Sequence, residues 1–428
     1  MRLPPQPWMR EVLGAFSTLV GCVADAPKFQ EECDVLAIRI SKGRGPFVFA
    51  DFKSLMLASL RALVSKAWGS EHEVAWGWLW DNVVRGLTAQ LGKPRRYERA
   101  LDGMFTALDD RGLHGFRQDI LQAFFVTTPA GQDYFRQSAA RLHFIVDKIL
   151  SMTRELYKRP GDVVFALGAL GLRHAGYGVP AHMFAPFVDA AVEAAGRQAP
   201  IAEALEAFRW SLDLIARILA RVVTEGSTLT MRAICTNSAR QIREAMQCAP
   251  RGERSEWVLS VKVGSETISP LMWAIEKGNL EAADAILRDL LTIRADRDRY
   301  YFGADALFSR HPDIIGCLRA EAPSLLWTLL DGLVWRSRKV EGGARRAVYF
   351  CKHLLVRQAG TPATFVEDIC SGMDVKLVCH PIAAHIIDLL WARVATRTML
   401  IRHLLLVVAV VTFTVSQAIF DRHLVEQG

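Results

Sequence analysis

Apolar residues recur at helical spacing along most of the 428-residue chain, and this period predicts an all-α protein. The apolar face between Arg141 and Leu156 predicts one long helix. Two amphipathic segments, His182–Ala195 and Ile201–Val223, predict two more. Nearer the N-terminus, Phe47–Lys66 and Glu71–Leu91 predict a further helix pair.

A shorter apolar segment, Leu167–Pro180, carries a single histidine. Its leucines form a packing face, His174 lies near its end, and Gly176 and Gly178 break the helix. A histidine beside a glycine corner points one imidazole nitrogen away from the helix, and haem iron takes an imidazole on its proximal side. The alternative is a structural histidine that is satisfied within the core.

The flanks of this segment carry a resemblance to a known family. Residues 98–230 resemble a globin: an aromatic-proline corner is followed by a distal helix, a short helix, and two long closing helices. Leu170–Val179 is similar to the globin pattern Leu-Gly-x-x-His-x-x-x-Gly-Val. The resemblance implies haem binding, with His174 as the proximal iron ligand and Phe135 as the ring packed on the haem.

The resemblance leaves the distal residue open. Globins place it roughly 30 residues before the proximal histidine, on a facing helix, and Arg141, Leu142 and His143 lie near that register. The apolar pattern would point Arg141 or Leu142 at the iron rather than His143. His143 therefore stands both as a candidate and as an ordinary surface or core-edge histidine.

A weaker likeness covers about residues 30–92, inside a first segment that we bound at 1–92. Val35–Pro46 resembles a degraded copy of the central stretch, without a histidine. We interpret this part as a partial, degenerate globin-like module that cannot bind haem, and we expect Gly92–Arg96 to be a linker.

A second resemblance begins after a mixed connector, 231–268, in which Glu256–Ile268 alternates like a short strand or hairpin. Residues 269–330 resemble ankyrin repeats, the clearest part being Ser269–Leu291. The alternative is a plain helical hairpin.

We expect the ankyrin-like repeats to extend over 269–360, with Gly278 as the left-handed stop between two helices. Because one or two repeats cannot bury their own faces, they would pack on flanking helices at Ser324–Val334 and Ala344–Val356. Such repeats bind proteins, and we therefore expect a protein partner.

The last element is an apolar segment, Met399–Phe420, preceded by pre-membrane linker helices over 361–398. Its uncharged core, Leu404–Ile419, is shorter than the roughly 20 residues that span a bilayer, and adding Met399–Ile401, with Arg402 and His403 snorkelling, brings it to spanning length. Arg393 and Arg397 precede it and Arg402 lies near its start, so the positive-inside rule predicts a single-pass protein whose large N-terminal part is cytoplasmic. The alternative is a buried helix of a soluble protein.

Composition excludes several other classes of function. The net charge of +7 is scattered rather than gathered into a basic tract, so we expect no nucleic-acid partner. The eight cysteines form neither a Cys-x-x-Cys motif nor a zinc spacing. Hydrolase, phosphate-loop and metalloprotease motifs are absent from the sequence, and we expect no enzymatic activity.

Together these patterns predict a membrane-anchored haem protein that senses a diatomic gas or redox state through its ankyrin-like helices. Two alternatives remain. One is a haem-free, membrane-anchored interaction scaffold. The other is the N-terminal part of an ion-channel subunit, because ankyrin-like helices before a first span are similar in layout to transient-receptor-potential-type channels.

Overall fold

Helices make up 78% of the computed structural model, so the all-α prediction is confirmed. The structure describes residues 7–42, 48–134, 139–198, 200–250, 252–296, 299–356, 365 and 375–426. The chain divides into two compact units, one formed by residues 1–235 with 262–268, the other by residues 236–261 with 269–428.

The first unit is built from helices joined by short connections, with 3₁₀ turns at Pro129–Tyr134 and Ala181–Met183. Its helices are α1 (Pro7–Gly21), α2 (Ala26–Ser41), α3 (Phe49–Leu63), α4 (Ser70–Gln90), α5 (Lys93–Ala107), α6 (Asp110–Thr127), α7 (Ala139–Lys158), α8 (Pro160–Gly176), α9 (Phe184–Gln198), α10 (Ala202–Gly226) and α11 (Leu229–Cys235).

The central element of this unit is α10, which packs on α5, α8 and α9, while α6 packs on α9. Its inward face is apolar and includes the fully buried Phe208. Two ion pairs join α2 to α10. Arg221 Nε donates to Glu31 Oε2 at 2.9 Å, and Arg217 Nη2 donates to Asp34 Oδ2 at 2.7 Å. Both carboxylates are buried.

The predicted linker Gly92–Arg96 is wrong. Only Gly92 breaks the chain, with a left-handed φ of 82°, and α5 begins at Lys93. Pro94 lies in the first turn, where the amide hydrogen that proline lacks would have no partner within the helix. Tyr97 on the same helix is buried, and its hydroxyl donates to Glu206 Oε1 of α10 at 2.6 Å.

The second unit contains shorter helices. They are α12 (Ala239–Cys248), α13 (Arg254–Leu259), α14 (Pro270–Glu276), α15 (Leu280–Leu290), α16 (Ala304–Arg310), α17 (Ile314–Glu321), α18 (Ser324–Gly332), α19 (Lys352–Leu355), α20 (Val375–Val378), α21 (Pro381–Leu390) and α22 (Thr396–Glu426). A π-helical turn, Trp391–Ala395, precedes α22. Within the second unit α15 packs on α12, α14 and α18.

Short strands form three two-stranded sheets within the described ranges. They are β1 (Val261–Val263) with β2 (Glu266–Ile268), β3 (Arg294–Asp296) with β4 (Arg299–Tyr301), and β5 (Val334–Glu341) with β6 (Ala344–Tyr349).

Two local predictions need correction against these strands. The expected hairpin at Glu256–Ile268 is present from Val261 onward, but Glu256–Leu259 belongs to α13. The expected helix at Ala344–Val356 is wrong over Ala344–Tyr349, which pairs antiparallel with β5. Gly342 and Gly343 form the two-residue turn with φ values of 59° and 83°, the left-handed pair that hairpins favour.

The C-terminal helix α22 contains the segment Thr396–Ile419, whose 24 residues have a mean hydropathy of 2.1 and are not buried. At about 1.5 Å per residue this length exceeds the roughly 30 Å hydrocarbon core of a bilayer. The segment is the one helix in the described part of the chain that is long and apolar enough to cross a membrane.

Candidate functional site

His174 lies near the C-terminal end of α8, and the helix ends at Gly176 as predicted. Gly178 follows with a left-handed φ of 72°. The amide of Val179 donates to the carbonyl of His174 at 3.0 Å, and the amide of Gly178 donates to the carbonyl of Ala175 at 3.0 Å. These two bonds form a Schellman motif, which fixes the direction in which the chain leaves the helix.

The imidazole of His174 has a defined orientation and tautomer. Its Nδ1 lies 2.8 Å from the carbonyl oxygen of Leu170. Because a carbonyl only accepts, Nδ1 carries the proton, and the neutral ring keeps its lone pair on Nε2. Within the described ranges no hydrogen bond reaches Nε2.

Burial sets the charge of this ring. Desolvation lowers the pKa of His174, and the hydrogen bond to Leu170 opposes that effect only in part. The ring of Phe184, the first residue of α9, lies 5.7 Å away from centroid to centroid. The imidazole is therefore neutral at pH 7, which is the form that binds metals.

The helix that carries His174 packs closely against α10 through two glycines. A Cβ at Gly171 would lie 2.5 Å from Cγ1 of Val222, and a Cβ at Gly226 would lie 2.9 Å from Cδ2 of Leu172. Gly171 needs to be glycine because Cβ of Val222 would also lie only 2.7 Å away, whereas at Gly226 the end of the Leu172 side chain would have to shift. The position of His174 is thus fixed by α10 as well as by its own helix.

The structure does not place the other predicted site residues beside His174 in the described contacts. Phe135 lies outside the described residues, and Arg141 lies in α7 but its side chain is not described. His143, also on α7, is half-buried, and its ring centroid is 4.9 Å from that of His114 on α6. The structure thus brings His143 together with His114, whereas the described contacts of His174 are to Leu170 and Phe184.

One buried aromatic residue at the predicted corner, Phe124, is not among the site residues that the sequence predicts. Phe124 is buried near the end of α6, and its ring lies 5.4 Å from that of Phe187 on α9. A Cβ on Gly131, in the 3₁₀ turn, would lie 2.7 Å from the Phe124 ring. The period shared by Phe116, Ile120 and Phe124 could have identified this ring as a core residue.

A cavity of about 460 Å³ lies beside α5, α6 and α7 and does not include His174. Its lining is rich in charged side chains, and four of these form ion pairs: Arg154 with Asp102 of α5, Arg159 with Glu155, and Asp147 with Arg117 of α6. The lining residues are Phe105, Leu113, Asp147, Leu150, Ser151, Arg154, Glu155, Lys158 and Arg159. This charged wall is unlike the apolar wall that a porphyrin face requires.

The predicted helix pair after the connector is present. Ser269 Oγ accepts the amide of Met272 at the start of α14. Gly278 has a φ of 71°, and the amide of Asn279 donates to the carbonyl of Ala274 at 2.9 Å. The left-handed stop was therefore predicted correctly at Gly278, whereas the ankyrin resemblance itself stays a prediction.

His174 fits an iron ligand by its chemistry: a neutral, oriented imidazole with its lone pair on Nε2. Clusters of three or more histidine, cysteine, aspartate or glutamate residues able to hold a metal ion are absent from the described ranges. Comparisons of the chain with protein-family models, curated proteins and solved structures find no match.

Proposed function

We propose that this chain is a membrane-anchored haem protein in which His174 is the proximal iron ligand. The observation that carries the proposal is the hydrogen bond from His174 Nδ1 to the carbonyl of Leu170. Metal-ligating histidines commonly donate their second ring nitrogen to such an acceptor, which fixes the tautomer and raises the basicity of the ligating nitrogen.

The chain's contribution at this site is to hold one neutral nitrogen in place. Burial lowers the pKa of His174, so Nε2 stays unprotonated. The Schellman motif that follows Gly176 holds the ring at the end of the helix. When bound, haem would supply an iron centre that takes a diatomic gas or changes oxidation state.

The close packing of α8 on α10 supports a sensing role. A displacement of His174 along its helix moves Gly171, and Gly171 has no free space against Val222 of α10. Because packed helices shift between discrete arrangements, such a displacement would be passed to α10. We propose that this displacement is the signal, and that the ankyrin-like helices present it to a protein partner.

The membrane segment supports the anchored part of the proposal. Arg397 and Arg402 lie at its N-terminal end, with Arg393 just before it. By the positive-inside rule this side faces the cytoplasm, so the part of the chain before α22 would be cytoplasmic.

The deciding experiment is an absorption spectrum of the full chain, purified in detergent and loaded with haem. The full chain is required because a fragment beginning at residue 98 would cut α5 in its second turn. We expect a Soret band that carbon monoxide shifts in the wild-type chain and that His174→Ala abolishes or shifts strongly.

The matched control is His182→Ala, which removes an exposed imidazole eight residues further along. This variant should keep the wild-type spectrum. If the wild type, His174→Ala and His182→Ala give the same spectrum, the iron ligand is not His174. If the folded wild type takes up no haem, the sensor proposal fails.

A haem-free scaffold is the second candidate, and the position of the cavity favours it. The cavity beside α5, α6 and α7 excludes His174 and is lined by charges. In this reading His174 is a structural residue, satisfied by Leu170 and packed on Phe184. The same spectra separate the two candidates.

A further inference from the structure

Two histidines from different helices meet on the surface of the first unit. His114 lies in the first turns of α6 and is exposed, and His143 lies in the first turns of α7 and is half-buried. Their ring centroids are 4.9 Å apart, and the ring planes are inclined at 54°. Solvent and dissolved ions can therefore reach this pair.

The separation of the rings suits a shared metal ion. An ion about 2.0–2.1 Å from a ring nitrogen lies roughly 3.2 Å from the ring centre. Two centres 4.9 Å apart then subtend about 100° at the ion. That angle lies between the roughly 90° of square-planar and octahedral sites and the roughly 109° of tetrahedral sites.

An ion pair one turn further along holds the same two helices together. Arg117 Nε donates to Asp147 Oδ1, and these residues follow His114 and His143 by three and four positions. Residues at those spacings share a helix face. The pair therefore fixes the spacing of α6 and α7 at the histidines, and Asp147 balances the charge of Arg117 that would otherwise oppose a cation.

We propose that His114 and His143 form a two-histidine site for a divalent late transition metal, with water completing the coordination shell. Imidazole nitrogen favours copper, nickel and zinc, whereas magnesium and calcium favour oxygen. In the part of the chain that the structure describes, no third protein ligand joins this pair. The ion is therefore exchangeable.

This site goes beyond the proposed haem function and does not depend on it. It uses His143, which the sequence offered as a distal haem residue, for a different ion. Occupancy would link α6 to α7 and stabilise the first unit by mass action. The affinities should follow the usual order for divalent first-row metals, with Cu²⁺ bound most tightly and Zn²⁺ and Ni²⁺ more weakly.

The test is a Cu²⁺ titration of the full, tag-free and haem-free chain in detergent, followed by electron paramagnetic resonance of the bound ion. We expect one equivalent with two imidazole nitrogens. His114→Gln and His143→Gln should each weaken binding by about tenfold or more and leave one nitrogen, since even outer-shell changes cost 10–100-fold. Mg²⁺ should not compete.

One control variant keeps the result interpretable. His182→Gln removes an exposed histidine elsewhere in the first unit and should bind Cu²⁺ like the wild type. His114 is exposed, so its substitution is expected to preserve the fold, which circular dichroism checks. Unchanged affinity or nitrogen count in folded His114→Gln and His143→Gln would overturn the proposal.

Discussion

Burial governs the charge of individual side chains in the first unit. Desolvation lowers the pKa of His174 and raises the pKa of Glu31, in both cases favouring the neutral form. Glu31 differs because Arg221 lies 2.9 Å away and lowers its pKa in opposition to burial. The ionised state of Glu31 thus depends on a residue of another helix, whereas the neutral state of His174 needs no charged partner.

The substitution Arg221→Met should destabilise the first unit by about 3–5 kcal/mol near pH 8, because it leaves Glu31 buried without its cation. Without Arg221 the folded pKa of Glu31 rises further above its unfolded value. The folded state then holds the proton to higher pH, so stability is retained at low pH and lost as pH rises. Thermal unfolding in detergent at pH 5.5 and pH 8 measures the difference.

The double variant Glu31→Leu with Arg221→Met is the control, and it should recover most of the stability at both pH values. Equal destabilisation by Arg221→Met at pH 5.5 and pH 8 would contradict the assignment to Glu31. So would a double variant as unstable as the single one.

Local spacing in the sequence is sufficient to predict the contacts of some of these residues but not those of others. His174, Leu170 and Gly178 lie within one helix end, so their relation can be predicted from the sequence. The partners His114 and His143, like Glu31 and Arg221, come together only when separate helices pack. Nothing in the local pattern of either segment indicates the other.

At the level of elements, the contact between α8 and α10 depends on small residues rather than on apolar bulk. Gly171 lets the two backbones approach over Val222, and Gly226 does the same opposite Leu172. Helix propensity alone would favour alanine at both positions. Their glycines are therefore explained by close packing and not by chain flexibility.

Gly171→Ala should separate α8 from α10 and destabilise the first unit by about 1–3 kcal/mol, because its Cβ would lie 2.5 Å from Val222 Cγ1. Gly168→Ala, one turn earlier in α8, is the matched control. Its Cβ would lie 3.1 Å from Cγ of Glu266, a side chain able to move. Hydrogen exchange of the α8 amides should accelerate in the first variant only.

A second substitution that makes room for the new methyl group tests whether the contact with Val222 causes the loss of stability. Gly171→Ala combined with Val222→Ala should exchange more slowly than Gly171→Ala alone, because the shorter side chain admits the new methyl group. If the double variant is the less stable of the two, the tight contact is not what limits this helix pair.

Among the elements, the helical period was a good guide wherever a long apolar face is buried, as in α7, α9 and α10. It fails at Gly92–Arg96, because proline near glycine usually indicates a loop, whereas the first turn of a helix also accepts proline. It fails again at Ala344–Tyr349, where the Gly342-Gly343 turn determines a hairpin that the helical period does not show.

On the scale of the whole molecule, sequence and structure agree on one long apolar helix, Thr396–Ile419, whose length and composition would allow it to span a membrane. Val411 lies within it and is 54% exposed, so its side chain is not part of a protein core. The sequence could predict this element because an unbroken apolar run needs no tertiary information. The division into two units interleaved at residues 236–268 was not predictable, because it depends on where distant segments pack.

Val411→Arg should reduce membrane insertion, since an arginine near the centre of a span costs about 2.5–3.5 kcal/mol. Val411→Leu is the control and should insert like the wild type. The fraction that resists alkaline carbonate extraction measures the effect. Equal extraction of Val411→Arg, Val411→Leu and wild type would show that this helix does not cross the bilayer.

The chain is helical without interruption from Pro381 to Glu426, through the π-helical turn Trp391–Ala395. Both the amide and the hydroxyl of Thr396 bond to the carbonyl of Trp391, which keeps the turn closed. Ile382 and Ile386 are buried at the start of this rod. In the membrane-anchored protein proposed above, a rotation of α21 about this axis would therefore be passed to α22 without a flexible joint between them.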